Sequence, residues 1–228
     1  MCTSATTQLK RSLYDLGFIK KGLVEAIVCT FDVSRRPNAA PMGISSEDMS
    51  SLILKPFTCT QTYRNLLSNR CATINITSDP EIYSRTLFKD SNSEDTISRN
   101  WFSDAKMVDA PYLRMADAYI EARVMDVRGS DTRRATVKCE VVRIIEQGKG
   151  KSKAYCRATF ATIESLIHAT RIEASIREGK NNTAEELINL VQYYANLVNR
   201  VAPESIYSTL MEDIQRRIGS WMTVEKST

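Results

Sequence analysis

Three short stretches, taken in order, decide the reading of this chain: Asn38-Ala39-Ala40-Pro41-Met42-Gly43, then Lys55-Pro56-Phe57-Thr58-Cys59-Thr60-Gln61-Thr62-Tyr63-Arg64-Asn65, then Ile74-Asn75-Ile76-Thr77. The first is a run of small residues whose backbone a flat ring can approach closely. The second sets hydroxyls on Thr58, Thr60 and Thr62 where a helix begins, and N–H groups at a helix N-terminus bind anions. Arg64 and Asn65 could add a charge and a donor. The third returns an amide and a hydroxyl on a strand. A planar ring, a phosphate and a polyol chain need those three surfaces. Plainer readings stand beside these. The alternating threonines equally suit the polar face of a strand end, and Ala39 to Gly43 alone suits a packed hairpin strand better than a ligand contact.

Around these stretches the first half is strand-rich. Leu23 to Phe31 is rich in β-branched residues, Ala39 to Ser45 is small and apolar, and Ser51 to Lys55 is compactly apolar. Turn signals at Ser34 to Asn38 and at Ser45 to Asp48 separate them, as in an antiparallel meander. Gln61 to Asn69 carries Tyr63, Leu66 and Leu67 at helical spacing. Cys71 to Thr77 alternates as a strand, and Asp79-Pro80 marks the entry of a helix to Phe88. Asp90 to Asn100 is polar and reads as a surface loop. Ala116 to Val127 and Arg134 to Ile145 are two further strands joined at Arg128-Gly129-Ser130-Asp131. Six or so short strands with few helices between them predict a closed or split antiparallel barrel.

Beyond about Tyr155 the period becomes helical. Ile163, Leu166, Ile167 and Thr170 trace one face, and Gly179 supplies a stop. Thr183-Ala184-Glu185-Glu186 has the form of a capping box, followed by an apolar stripe from Leu187 to Val201. Pro203 is the expected opening of a last helix bearing Ile206, Leu210, Ile214 and Ile218. The expected division is a barrel over 1–154 and a helical subdomain over 155–228.

The 228 residues are 43% hydrophobic and 25% charged, as in folded globular proteins, and suffice for a sizeable core. No apolar run approaches a bilayer span. Met1 to Thr7 leads into Lys10 and Arg11 without the apolar centre of a secretory signal, so the expected location is cytoplasmic. A net charge of +4, spread along the chain, gives no argument for nucleic acid. Gly148-Lys149-Gly150-Lys151-Ser152-Lys153 suggests a phosphate loop but has Ile145 where the first glycine belongs, and reads as a basic turn. The cysteines at 2, 29, 59, 71, 139 and 156 form no CxxC pair, which disfavours a disulfide framework or a metal site. Cys29, Cys71 and Cys139 suit buried packing. Only Cys59 sits where a thiol could touch a ligand. One histidine, no HExxH and no GxSxG leave metal hydrolysis and a serine triad without their parts.

The ordered set Asn-Ala-Ala-Pro-Met-Gly, Thr-x-Thr-Tyr-x-Asn-Leu and Ile-Asn-Ile-Thr-x-Asp resembles the flavin reductase-like split barrels. More narrowly, the chain resembles the mainly archaeal domain-of-unknown-function family 447 of that superfamily. The resemblance runs on through Tyr155 to Thr159 and Ile163 to Arg171. It implies a split antiparallel β-barrel with a C-terminal helical subdomain packed on the barrel and dimer, and a homodimer holding FMN in a groove near the subunit interface. By position it implies Ala40, Pro41, Met42 and Gly43 along the isoalloxazine, and Thr58, Thr60, Thr62 and Tyr63 around the phosphate and ribityl chain. Asn75 and Thr77 would close the pocket. Cys59 and the segment from Ser91 to Asn100 depart from the usual pattern.

The activity implied is hydride or electron transfer at the flavin, with NAD(P)H as donor, although no GxGxxG fingerprint is present; a reduced flavin partner or a deazaflavin is the other source. The alternatives are a non-catalytic flavin carrier or sensor, and a dimeric scaffold without cofactor. His168, one turn from Glu164 and close to Arg171, reads as part of an ion-paired helix face. The other reading has Arg157, His168 and Arg171 approaching a flavin or anionic substrate from a second subunit.

Overall fold

The structure is a computed structural model that describes residues 13–88, 97–129, 132–147 and 153–225. Cys2, the basic turn through residue 152 and the first part of the polar segment expected from Asp90 lie outside the described residues. The chain divides into two compact units, Met1–Tyr155 and Cys156–Thr228.

The first unit is built on β1 (Leu23–Phe31), β2 (Pro37–Ser45), β3 (Ser51–Leu54), β4 (Cys71–Ile76), β7 (Ala118–Arg128) and β8 (Thr136–Glu146). They close into an antiparallel barrel in the order β1-β2-β3-β8-β7-β4. Val24, Ala26 and Val28 of β1 and Ile74 and Ile76 of β4 are among its fully buried residues. Alternate β1 residues, Ile27 and Cys29, are buried as well, because α2 (Pro80–Leu87) and the short pair β5 (Phe102–Asp104) and β6 (Pro111–Leu113) cover the outer side. α1 (Gln61–Asn69) borders the ends of β1 and β2.

Side chains fix the turns. Asp32 accepts from the N–H groups of Ser34 (2.8 Å) and Arg36 (2.9 Å), holding the β1–β2 turn, while Arg35 takes a φ of 57° there. The Arg35 guanidinium lies 4.6 Å over Phe31 and binds Asp104 and Asp109, which ties this turn to the β5–β6 segment. Asp48 holds the β2–β3 turn through the N–H groups of Ser50 and Ser51, both at 2.8 Å.

β5 and β6 are not expected from the sequence. Each is only three residues long, and their loop is held from below: the fully buried Glu121 carboxylate accepts from Lys106 N–H (3.2 Å) and Met107 N–H (2.7 Å). A buried charge needs such partners.

The second unit contains α3 (Arg157–Arg177), α4 (Asn181–Val201) and α5 (Ile206–Glu225). Gly179, at φ 69°, ends α3 as expected, with its N–H on Ile176 O at 3.1 Å. Two expected starts are corrected. α4 begins at Asn181 with Lys180 as N-cap, which puts Thr183 inside the first turn, so it forms no capping box. α5 begins at Ile206, where Ser205 and Ser208 cap each other (Ser205 N to Ser208 Oγ, 3.0 Å); Pro203 lies in the turn before it. The packing of α3 also differs from the usual amphipathic rule. Its buried face is Ala158, Ala161, Thr162, Ser165, Ala169, Ile172 and Ser175, whereas Ile163 and Ile167 are 49% and 41% exposed. Small residues let α4 approach closely.

Candidate functional site

Ala40 and Met42 pair with Val28 and Ala26 on one face of β2, and Ala39, Pro41 and Gly43 pair with Cys29, Ile27 and Glu25 on the other. The four residues expected along a ring therefore divide between two faces, and all four are half-buried. What they share is the strand edge. β2 pairs with β1 over its whole length but with β3 only at Ile44 and Ser45, so the edge from Ala39 to Gly43 has no strand partner among the described residues. Proline, which cannot donate to a ladder, is tolerated at an edge such as this.

Gly43 has a packing reason independent of any ligand. A Cβ there would meet Leu23 Cδ2 at 2.7 Å and Cγ at 2.8 Å. The glycine admits the Leu23 side chain from the neighbouring strand.

The threonines stand at the start of α1, as their spacing predicts. Thr60 is the N-cap: its hydroxyl accepts from Tyr63 N–H at 3.4 Å and donates to Phe57 O at 2.7 Å. Thr58 donates to Thr132 O at 2.9 Å, lashing this turn to the β7–β8 connection. Both hydroxyl protons are thus engaged by the protein. The donors left at this end are the N–H groups of Gln61 and Thr62, which have no acceptor within the helix.

Two residues that sequence reasoning missed flank this end. Arg134 lies 3.9 Å and Arg133 5.4 Å from the centroid of the Phe57 ring. Neither has a carboxylate partner among the described residues. Arg64 is also without one, its guanidinium bonding Cys59 O (3.0 Å) and Gln61 Oε1 (2.9 Å). Three unneutralised guanidinium groups beside a helix N-terminus favour an anion. In sequence the pair Arg133-Arg134 looks like any exposed turn, and only the barrel closure brings it to Phe57.

The remaining expected residues are built into the scaffold. Thr62 is buried and accepts from Asn38 Nδ2 at 2.9 Å; Asn65 donates to Thr30 Oγ1 at 2.9 Å and accepts from Gln61 Nε2 at 2.6 Å. Tyr63 is buried beside them. Asn75, fully buried, donates to Ile27 O (3.0 Å) and Thr73 Oγ1 (2.9 Å) and accepts from Leu113 N–H (2.8 Å). Thr77 accepts from Asp79 N–H at 3.1 Å at the entry of α2. Asn75 and Thr77 thus join strands and a helix start.

Cys59 is exposed, Cys29 and Cys139 are buried, and burial pushes the Cys139 thiol up to about 12. In the helical unit, no ion pair joins Glu164, His168 and Arg171 among the described residues, which corrects the ion-paired face expected there. The imidazole stacks instead on Tyr194, at 6.1 Å between ring centroids, and its Nδ1 is buried without a hydrogen-bond partner.

The first unit is thus an antiparallel six-stranded barrel in which, among the described residues, the β2 edge from Ala39 to Gly43 has no strand partner and lies beside a cationic helix start. The chain belongs to a named family of this class. Residues 24–147 match the N-terminal domain of the protein of unknown function DUF447, and residues 156–214 match the second DUF447 domain. This is the family that the motifs resemble. An FMN-bound DUF447 protein of Methanosarcina mazei is 21% identical, with 90% of this chain and 99% of that one covered and a TM-score of 0.53, and it shares the fold. Flavoredoxin of Desulfovibrio vulgaris is 20% identical over 55% of this chain and 70% of that one, with a TM-score of 0.47. The 2-nitrobenzoate 2-nitroreductase of Pseudomonas fluorescens is 18% identical over 64% and 76%, with a TM-score of 0.46. No helix among the described residues is long and apolar enough to cross a membrane.

Proposed function

We propose that this chain binds FMN and passes hydride or electrons through it. The observation that carries the reading is the unpaired edge of β2 next to the open start of α1, since a flavin mononucleotide needs a strip of backbone for its ring and a cationic donor set for its phosphate. The residues present fit that division. Ala40 to Gly43 would offer backbone to the ring. Gln61 and Thr62 N–H, with Arg133 and Arg134, would hold the phosphate; Thr58 and Thr60 shape the turn that presents them. Bound flavin would supply the redox chemistry, and these residues bind it, orient it and limit water around it. The FMN-bound relative of M. mazei supports the choice of cofactor. A purified chain that carries the absorbance of oxidised flavin, bleached by NAD(P)H, is the expected result. Bound flavin that no nicotinamide reduces would make the chain a carrier. Failure to take up added FMN would remove the reading.

We further propose that a second copy covers the apolar face of α3. Ile163 and Ile167 stand one helical turn apart and both are about half exposed, with Leu166 beside them at 47%. The resemblance to dimeric family members supports a like partner. Light scattering should give the mass of a dimer for the wild type and a monomer for the double change Ile163→Asp with Ile167→Asp.

A further inference from the structure

Phe57 stands half-exposed in the turn that enters α1. Its backbone is held from two sides. The carbonyl accepts from Thr60 N–H at 3.1 Å and from the Thr60 hydroxyl at 2.7 Å. Across from it the residue bridges Arg134 of the β7–β8 connection, with Thr58 N–H on Arg133 O at 3.2 Å and Ala135 N–H on Pro56 O at 3.1 Å. The ring is thus a fixed platform, and two cations lie over it: the Arg134 guanidinium at 3.9 Å and that of Arg133 at 5.4 Å from its centroid. Adjacent like charges repel, and both side chains are exposed, so water was open to each of them. The electron-rich face of one aromatic ring draws them together instead. Stacking uses the face of a guanidinium and leaves its N–H edge free for an anion.

We propose that Phe57 is a positioning residue for the anionic end of the ligand, its ring gathering Arg133 and Arg134 and setting their N–H edges before the anion arrives. The inference rests on the flavin reading above and assigns to its phosphate end the residue that orders the two cations. Side chains ordered beforehand lose less freedom on binding. Leucine would supply a similar apolar contact but has no face that holds a cation.

The test is Phe57→Leu and Phe57→Tyr in the full chain, titrated with FMN and with riboflavin, which has the ring but no phosphate, and melted without ligand. The leucine variant should bind FMN about fivefold more weakly, with riboflavin unchanged, and the tyrosine variant should recover wild-type binding. Its response to salt should stay that of the wild type, because both charges remain. Added to Arg133→Gln with Arg134→Gln, Phe57→Leu should cause no further loss. Should the leucine variant melt early, Arg134→Lys carries the test: it keeps the charge, loses the planar fork, and should weaken FMN to the same extent. FMN binding within about twofold of wild type in these variants, an equal loss for riboflavin, or a further loss in the glutamine background would overturn the assignment. Wild-type chain that binds neither ligand, or binds both alike, would instead bring down the flavin reading or its phosphate end, and this inference with it.

Discussion

On β4 the Asn75 side chain is bonded by Ile27, Thr73 and Leu113, whereas on β2 the edge from Ala39 to Gly43 has no strand partner among the described residues. The resemblance implies both in one pocket, yet the first is engaged by the fold and the second is open. The contrast separates two jobs within one motif. Amides and hydroxyls at Asn38, Thr62, Asn65 and Asn75 hold the barrel and α1 in register, and the groups left over are the ones proposed to meet a ligand.

The strongest way to break this contrast is Asn75→Ala. It strands Leu113 N–H in the interior and removes the side-chain bonds to Ile27 O and Thr73 Oγ1, and urea unfolding of the ligand-free chain should show a loss of about 3 kcal/mol. A loss below about 1 kcal/mol, together with abolished FMN binding, would move Asn75 from the scaffold to the ligand. Gly43→Ala comes next, at about 2 kcal/mol from the clash with Leu23, and adding Leu23→Ala should recover part of it if packing explains the glycine.

Asp48→Ala is a smaller change, about 1 kcal/mol after allowing for solvent screening. Burial works against the Asp48 charge, but hydrogen bonds from Ser50 and Ser51 prevail and hold its pKa near 2, below the ordinary 3.8. A depressed folded pKa contributes stability above 3.8 that is lost as the pH falls toward 2, so the gap between wild type and variant should close over that window. The smallest effect on stability, under about 0.5 kcal/mol, is expected for Arg133→Gln with Arg134→Gln, both exposed and without a carboxylate partner among the described residues. That double variant should nevertheless bind FMN about tenfold more weakly, with riboflavin unaffected and with a reduced salt dependence.

Much of the barrel is legible in the sequence because its strands announce themselves locally. Leu23 to Phe31 is rich in β-branched residues, and Gln61 to Asn69 coincides with α1, since Thr60 caps it and Tyr63 and Leu66 are buried. β5 and β6 escape notice because three residues carry no period, and their anchor, Glu121, lies in another strand. The helices of the second unit are visible from their spacing, but which face is buried is not. On α3 the apolar stripe turns outward and the small-residue stripe inward, a choice set by how closely α4 approaches. At the site, the position of the threonines is legible and their role is not: whether a hydroxyl meets a ligand or a carbonyl depends on the β7–β8 connection more than seventy residues away.

The central claim is that this chain takes up FMN along the β2 edge with its phosphate at the start of α1. Titration of the ligand-free chain with FMN, followed by flavin fluorescence and calorimetry, tests it most directly. The expected result is saturable uptake of one FMN per chain, tighter than riboflavin and weakened by added salt. FMN that remains free, or that binds no better than riboflavin at any salt concentration, would contradict the account.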